Sequence, residues 1–232
     1  MDAETAEKNL INAIKTSKQS QIWINDQKDK LLPERAITIN LILKLCSLIG
    51  FDSGITNGPL YFSGEYEKRI GHNRKFVYPD IILHGGQEDI NHQIFACEVK
   101  KFPSIKSPSK HHELFYDFYK LVNYLYLEKF NEQTQLYENA NYERVYMILI
   151  DCEKDNIIKL FGAFTLSQKT ENLENEKRGI RMIKKYLQDE QKRNRFRFIL
   201  ISKEFNNYLD ILTLENLLKE IPNFNTLIET ID

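Results

Sequence analysis

Two neighbouring apolar runs constrain the fold of this chain more than any other feature. The first extends from Phe76 to His84 and the second from Gln93 to Lys100, and Gly85-Gly86 begins the segment between them. Runs of this length that are bounded by turn-forming glycines are typical of β-strands. The pattern therefore predicts two strands joined by a turn.

Charged residues lie at defined places on these two predicted strands. Pro79-Asp80 lies within the first run, and Glu98-Val99-Lys100 ends the second. Residues two apart in a strand point to the same face, so Glu98 and Lys100 share one side. If the strands pair, Asp80 stands beside them. Two carboxylates and an ammonium group then converge at the open end of a sheet.

These residue types fit the chemistry of a divalent-cation phosphodiesterase. Mg²⁺ prefers oxygen ligands, commonly one or two carboxylates together with waters and substrate phosphate oxygens. A bound metal lowers the pKa of its water and stabilises charge on the attacking and leaving oxygens. We therefore expect Asp80, Glu98 and the carbonyl group of Val99 to hold Mg²⁺, for which Mn²⁺ can substitute. Lys100 is then expected to orient the attacking water.

An acid-x-Lys triplet alone is a weak signal, because the chain contains three of them. The triplets that begin at Asp26 and Glu190 lie in polar, helix-like stretches, whereas Glu98 ends an apolar run. The only Pro-Asp pair of the chain lies on the preceding predicted strand. The alternative interpretation is that Asp80, Glu98 and Lys100 line a half-exposed sheet as ordinary surface charges.

The succession of Pro79-Asp80, a gap and Glu98-Val99-Lys100 resembles the signature of the PD-(D/E)xK nuclease superfamily, which has the restriction-endonuclease-like fold. The resemblance covers roughly residues 33 to 152. It implies a mixed α/β (α+β) fold with a core of helix, three strands, helix and strand, in which helices flank a central mixed sheet. It implies metal-dependent nuclease chemistry better than it implies a substrate.

Glu34 is a further catalytic candidate under this resemblance. The segment from Pro33 to Gly50 has the start signal, apolar spacing and terminator of a helix, and Glu34 lies in its first turn. In the resembled family, an acid on the opening helix often helps to hold the metal or its water. The alternative is a favourable interaction with the helix dipole. Glu65 and Glu67, on or beside the predicted first strand from Leu60 to Tyr66, compete for the same role.

Basic residues are concentrated in three segments. Residues 68–75 hold four basic residues and no acid, residues 100–110 hold no acid, and residues 177–197 hold nine basic residues against two acids. These segments are candidates to neutralise nucleic-acid phosphates, and the alternative for each is a set of solvated helix faces. The first two are favoured because they adjoin the proposed site, whereas the third stays open between the two interpretations. The expected contacts are Arg69, Arg74, Lys75, Lys101, Lys106, Lys110 and Lys120.

Composition limits the remaining possibilities. A chain of 232 residues that is 42% hydrophobic is long enough for one sizeable core. We expect one compact domain, with an N-terminal helical addition (1–32), a nuclease-like core (33–202) and a C-terminal helical addition (203–232). The three cysteines lie in or beside apolar runs and are interpreted as buried thiols in a reducing cytosol. The polar start and the absence of a long apolar stretch predict a cytoplasmic protein without a signal peptide or membrane span.

The rest of the chain is predicted to extend this core. Further predicted elements are an N-terminal helix over residues 3–17, a helix from His111 to about Lys129, strands over Arg144–Asp151, Ile157–Leu166 and Phe196–Ser202, a helix over Leu173–Gln191, and one or two short helices over Ile211–Thr230. Trp23 is expected to pack the N-terminal addition onto the core. On the helix after the proposed site, Asp117, Lys120 and Tyr124 are interpreted as an ordinary solvated face with Tyr124 half-buried.

The sequence thus favours a Mg²⁺-dependent deoxyribonuclease, with an endonuclease of restriction or phage defence ahead of a repair nuclease. DNA is preferred to RNA because the resemblance favours it, and a homodimer is expected because many enzymes of the resembled family act as dimers. The alternative is a non-catalytic nucleic-acid-binding or protein-binding module on the same fold, which the near-neutral net charge of −1 would suit.

Overall fold

The chain is a mixed α/β protein in which helices flank a mixed β-sheet, so the predicted fold class is confirmed at this level. It divides into two compact units: unit 1 contains residues 1–99 and 126–144, and unit 2 contains residues 100–125 and 145–232. The computed structural model describes residues 1–19, 24–25, 30–31, 33–49, 61–63, 68–70, 75–77, 79–84, 93–102, 108–131, 136–139, 141–202 and 209–231. Trp23 lies outside these residues, and the division predicted at residues 33 and 203 stays a prediction.

Unit 1 combines two long helices with short strands and the strand that carries Glu98. Its elements are α1 (Ala3–Gln19), β1 (Ile24–Asn25), β2 (Lys30–Leu31), α2 (Glu34–Ile49), β3 (Tyr61–Ser63), β4 (Lys68–Ile70), β5 (Lys75–Val77), β6 (Ile81–His84), β7 (Gln93–Lys101), β8 (Glu128–Asn131) and β9 (Leu136–Asn139). The last two residues of β7 belong to unit 2.

The predicted pairing of the two apolar runs is confirmed in unit 1. Strand β6 pairs antiparallel with both β3 and β7, and the side chains of β7 are buried from Gln93 to Val99. The first run is not one continuous strand, however, because β5 ends at Val77 and β6 begins only at Ile81. Pro79 lies in this interval, and proline cannot donate a hydrogen bond to a strand ladder.

Helix α1 packs against α2 in unit 1 through apolar side chains at helical spacing. Leu10 and Ile14 of α1 are fully buried, as are Leu41 and Leu45 of α2. The predicted helices at both places are confirmed. An ion pair between Glu7 and Arg144 links α1 to the first residue of the strand Arg144–Ile150.

Unit 2 contains most of the helices and the parallel part of the sheet. Its elements are α3 (Pro108–Tyr124), β10 (Arg144–Ile150, of which Arg144 belongs to unit 1), α4 (Lys154–Gly162), α5 (Thr170–Gln188), β11 (Phe196–Ile201), β12 (Leu209–Thr213), α6 (Leu214–Leu218) and α7 (Pro222–Thr230).

The strands of unit 2 form a mixed sheet. Strand β10 runs parallel to β11, and β11 runs antiparallel to β12. The backbone amide of Phe102 donates a hydrogen bond of 2.8 Å to the carbonyl group of Ile150, so the chain just beyond β7 lies beside the end of β10.

Aromatic side chains form the centre of unit 2, where α3 packs on α5, and α4 and α5 both pack on α7. Several ring pairs meet edge to face with centroids 5.1 to 6.4 Å apart, a favourable arrangement for aromatic quadrupoles. The rings in these pairs are Phe115, Phe118, Phe161, Phe196, Phe198 and Phe224. This cluster fixes α3, and with it the polar residues on the other side of that helix.

Several predicted elements are wrong in type or extent. Residues predicted as a strand from Ile157 to Leu166 are largely helical, because Ile157, Leu160 and Phe161 bury one face of α4 at helical spacing. Helix α3 ends at Tyr124 rather than near Lys129. Strand β12 and the β8–β9 hairpin were not predicted.

Among the described residues, none of the helices combines the length and the apolar character that crossing a membrane requires.

Candidate active site

Glu98 lies on β7, and Asp80 immediately precedes β6, the strand that pairs with β7 in unit 1. The register of β6 and β7 pairs Ile81 with Cys97 and Ile82 with Ala96. Continuing this antiparallel register by one residue sets Asp80 opposite Glu98. Opposed residues share a face, with Cβ atoms roughly 5 Å apart. The pairing of the two carboxylates follows from the register that the apolar side chains impose.

The carboxylate of Asp80 also takes part in the backbone structure at this point. Its Oδ2 atom accepts a hydrogen bond of 2.6 Å from the backbone amide of Val99. Pro79 and Asp80 precede the first residue of β6, so the regular backbone pairing with β7 does not include them. The Asp80 carboxylate thus accepts the bond that a backbone carbonyl group would accept in a regular strand pair. This bond holds the carboxylate beside β7.

Glu98 lies deep in the sheet, with only 1% of its surface exposed. Proteins retain buried carboxylates where cations, metals or hydrogen-bond donors compensate the charge. Burial raises the pKa of the neighbouring Cys97 thiol well above its usual value, and the carboxylates of Asp80 and Glu98 raise this pKa further. Both acids therefore act electrostatically on the same small region.

Lys100 follows Val99 on β7 and belongs to unit 2, where it meets Asp117 of α3. The Nζ atom of Lys100 lies 3.6 Å from Oδ2 of Asp117, and the Nζ atom of Lys120 lies 3.6 Å from Oδ1 of the same carboxylate. The three side chains are between 21% and 28% exposed, so solvent can reach them. Asp117 thus holds two lysines at once.

The prediction for the α3 face is wrong in two respects. Asp117 is not simply a solvated charge, because it pairs with Lys100 of the acid-x-Lys triplet. Tyr124 is fully buried rather than half-buried. The polar spacing of Asp117 and Lys120 was visible in the sequence, but the ion pair between Asp117 and Lys100 was not.

Glu34 is the first residue of α2, so its predicted position in the first turn is confirmed, and its side chain is half-buried. Its backbone carbonyl accepts a hydrogen bond of 3.0 Å from the hydroxyl group of Thr38. Its metal-assisting role stays a prediction. The competing residues Glu65 and Glu67 lie outside the described residues, and the role of the Val99 carbonyl also stays a prediction.

The predicted phosphate-binding residues occupy several elements. Lys101 is half-buried at the end of β7, Lys120 pairs with Asp117, and Lys110 belongs to the first turn of α3. Arg69 and Lys75 lie on the paired strands β4 and β5. Arg74 and Lys106 lie outside the described residues.

The residues present can supply part of a magnesium site. Over the described parts of the chain, no group of three or more His, Cys, Asp or Glu side chains is arranged to hold a metal ion. The Asp80 and Glu98 pair would therefore need water and phosphate oxygens to complete a coordination shell, which is common for Mg²⁺. A carboxylate has about four acceptor positions, so the Val99 amide does not exhaust those of Asp80.

Comparisons with protein-family models, with curated proteins and with solved structures found no match to this chain.

Proposed function

We propose that this chain is a metal-dependent nuclease that hydrolyses phosphodiester bonds in DNA. Asp80 and Glu98 are the proposed metal ligands, with the Val99 carbonyl as a third, and Lys100 is the proposed group that positions the attacking water. The observation that carries the proposal is the hydrogen bond from the Val99 amide to Asp80, which anchors one carboxylate beside the strand that bears the other.

The order of elements supports the proposed restriction-endonuclease-like core. Helix α2 is followed by β3, β6 and β7, then by α3 and β10, with the β4–β5 and β8–β9 hairpins between them. This order agrees with the helix, three strands, helix and strand of the resembled family. The antiparallel pairing of β6 with both β3 and β7 also suits such a core.

The oxygen-rich pair of acids fits Mg²⁺, or Mn²⁺ in its place, rather than a softer metal that favours sulfur and nitrogen. When bound, the ion would supply charge stabilisation and a water of lowered pKa. Asp80 and Glu98 would orient it from adjacent strands. The pairing of β6 with β7 and the hydrogen bond from the Val99 amide to Asp80 support this proposed role of the two acids.

Lys100 supplies a positive charge that can donate hydrogen bonds to the attacking water or to a phosphate oxygen. In the proposed in-line hydrolysis, the water oxygen bonds to phosphorus and gives up one proton, while the bond from phosphorus to the leaving oxygen breaks and that oxygen takes up a proton. Asp117 holds the ammonium group of Lys100 from the side of α3. We infer that Asp117 is a positioning residue and makes no contact with the reacting atoms.

The proposed biological role is an endonuclease of restriction or phage defence, with repair as the second candidate and RNA as the second candidate polymer. A homodimer would allow two sites to cut two strands. The alternative function is a non-catalytic binding module, for which the Lys100–Asp117 ion pair would be purely structural.

Plasmid cleavage in the presence of Mg²⁺ tests the proposal. The Lys100→Ala variant should lose about 100-fold or more of the cleavage rate, because a preorganised positive charge at a reacting centre typically contributes this much. Lys15→Ala, at an exposed position on α1, is the matched control and should cut normally. Circular dichroism checks that both variants fold. A folded wild-type protein that leaves DNA intact with Mg²⁺ and Mn²⁺, or a Lys100→Ala variant that cuts normally, would overturn the proposal.

A further inference from the structure

Positive charge is concentrated in one part of unit 2. Residues 177–197 contain nine basic and two acidic residues, a balance of +7, whereas the whole chain has a net charge of −1. The rest of the chain therefore carries −8. This segment comprises most of α5, the following turn and the start of β11. Such an asymmetry favours contact with a polyanion.

The exposed basic residues of helix α5 lie on the side of the helix that faces away from the core. Its inward side is fully buried at Ile180, Ile183 and Tyr186. Arg178, Arg181 and Lys185 are exposed and recur at intervals of three and four residues, so they lie on one face. At 1.5 Å of rise per residue they span about 10 Å, a length along which duplex DNA presents roughly six phosphate charges.

The turn after α5 extends this positive surface. Arg193 is exposed and Arg195 is half-buried. The Nζ atom of Lys192 donates a hydrogen bond to the carbonyl group of Leu125 at the end of α3. Burial lowers the pKa of Lys192, and the positive charges of Arg195 and Lys185 lower it further. The helix and the turn therefore lie within electrostatic range of each other.

We propose that Arg178, Arg181, Lys185, Arg193 and Arg195 form a basic face that binds the phosphate backbone of a nucleic acid. Phosphate contacts by arginine and lysine release counterions and position a duplex without reading its sequence. Arg178, Arg181 and Lys185 share one exposed helix face, where a polyanion would meet several positive charges at once. The choice of nucleic acid among polyanions rests on the proposed function.

An anionic membrane is the other large polyanionic surface, and the exposed face of α5 does not suit it. Interfacial helices insert apolar side chains beside their basic ones. The exposed residues of α5 whose side chains are described are all polar: Glu174, Arg178, Arg181, Lys185 and Gln188. The fully buried apolar residues of this helix are Ile180, Ile183 and Tyr186, and α5 packs against α3 and α7.

Equilibrium binding of a labelled DNA duplex in EDTA, measured by fluorescence anisotropy over a series of salt concentrations, tests the basic face without cleavage. The triple variant Arg178→Gln, Arg181→Gln, Lys185→Gln should bind about ten-fold or more weakly, and its slope of log affinity against log salt should fall by about three. The matched control Lys8→Gln, Lys15→Gln, Lys219→Gln removes the same charge from exposed positions elsewhere and should bind as the wild type does. Thermal unfolding checks both folds, and the single variants Arg181→Gln and Lys185→Gln replace the triple variant if it is unstable.

The outcomes separate this inference from the nuclease proposal. A wild-type protein that binds DNA through the basic face but never cuts it would leave the inference standing and overturn the nuclease. Equal affinities and slopes for the triple variant and the wild type would overturn the inference, as would a wild type that binds no duplex. The inference would also fail if the triple variant lost binding to phosphatidylserine vesicles but kept its affinity for DNA.

Discussion

Asp80 accepts a hydrogen bond of 2.6 Å through its carboxylate from the backbone amide of Val99. This bond joins the residue that precedes β6 to the strand that carries Glu98. Under the nuclease proposal this carboxylate has two separable roles, because one oxygen accepts the bond from β7 while the negative charge is proposed to bind a metal ion.

Two substitutions at Asp80 separate these roles. Asp80→Asn retains an acceptor for the Val99 amide and should change the free energy of unfolding by less than about 1 kcal/mol, whereas Asp80→Ala leaves that amide unsatisfied and should cost about 1–3 kcal/mol. Both should abolish Mg²⁺-dependent plasmid cleavage, because neither supplies the charged ligand. Urea unfolding and cleavage assays measure the two effects. Normal cleavage by Asp80→Asn would refute the metal role, and full stability of Asp80→Ala would refute the structural one.

Asp117→Asn tests the positioning of Lys100. Both lysine contacts of Asp117 are ion pairs at 3.6 Å, so the substitution should cost at most about 1 kcal/mol of stability. It should lower kcat about ten-fold with little change in KM, because Lys100 loses its fixed position but the substrate contacts remain.

Lys120→Gln is the comparison for this prediction. It preserves the pair between Lys100 and Asp117, so it should leave kcat unchanged and raise KM if Lys120 contacts phosphate. Asp117→Glu should recover part of the rate that Asp117→Asn loses. An Asp117→Asn variant with wild-type kcat would show that Asp117 is not a positioning residue.

The buried thiols predict a loss of stability in alkali. Burial raises the pKa of Cys97 and Cys152 in the folded protein, and nearby carboxylates raise both further. Unfolded thiols lose their protons near pH 9 while the folded thiols keep theirs. Their contribution to stability is therefore complete below about pH 9 and decreases above it, by up to about 1.4 kcal/mol per pH unit for each thiol.

Urea unfolding between pH 8 and pH 10.5 measures this dependence. The double variant Cys97→Ala, Cys152→Ala should lose stability less steeply over this range than the wild type. Equal slopes for the two proteins would mean that the thiols ionise as readily in the folded state as in the unfolded one.

Two helical glycines should respond in opposite directions to alanine. A Cβ atom at Gly179 would lie 3.1 Å from ring atoms of both Phe115 and Tyr119, which is too close for the tightly packed α3–α5 contact. At Gly162 it would meet only a methyl group of Ile221, at 3.9 Å. Gly179→Ala should therefore lower the midpoint of thermal unfolding, at a cost of about 1 kcal/mol. Gly162→Ala should raise it, with a gain of about 0.5 kcal/mol. A stabilised Gly179→Ala variant would show that the aromatic rings adjust easily.

The parts of this fold that the sequence predicted are those with long, regular apolar patterns. Strands β7, β10 and β11 were predicted because each is a nearly continuous buried apolar run, and helices α2 and α5 were predicted because their apolar residues recur at helical spacing. Helix α4 was mistaken for a strand because adjacent apolar residues such as Ile157 and Ile158 fit a short buried strand as well as a helix. The start of β6 at Ile81 was missed because Pro79 interrupts the run.

The candidate site was predictable only where it depends on local pairing. The antiparallel register of β6 and β7 follows from two apolar runs joined by a turn, and it puts Asp80 next to Glu98. The pairing of Lys100 with Asp117 depends on how α3 packs, which the aromatic cluster of unit 2 decides. The aromatic contacts that position α3 join residues far apart in sequence, and the periodicity of a single sequence does not indicate which of these residues meet.

A crystal soaked in Mn²⁺ and measured at the manganese absorption edge tests the central claim most directly. The nuclease proposal predicts an anomalous peak about 2 Å from a carboxylate oxygen of both Asp80 and Glu98, and no such peak in crystals of Asp80→Asn. Wild-type crystals that show no peak between these two residues at saturating Mn²⁺ would contradict it.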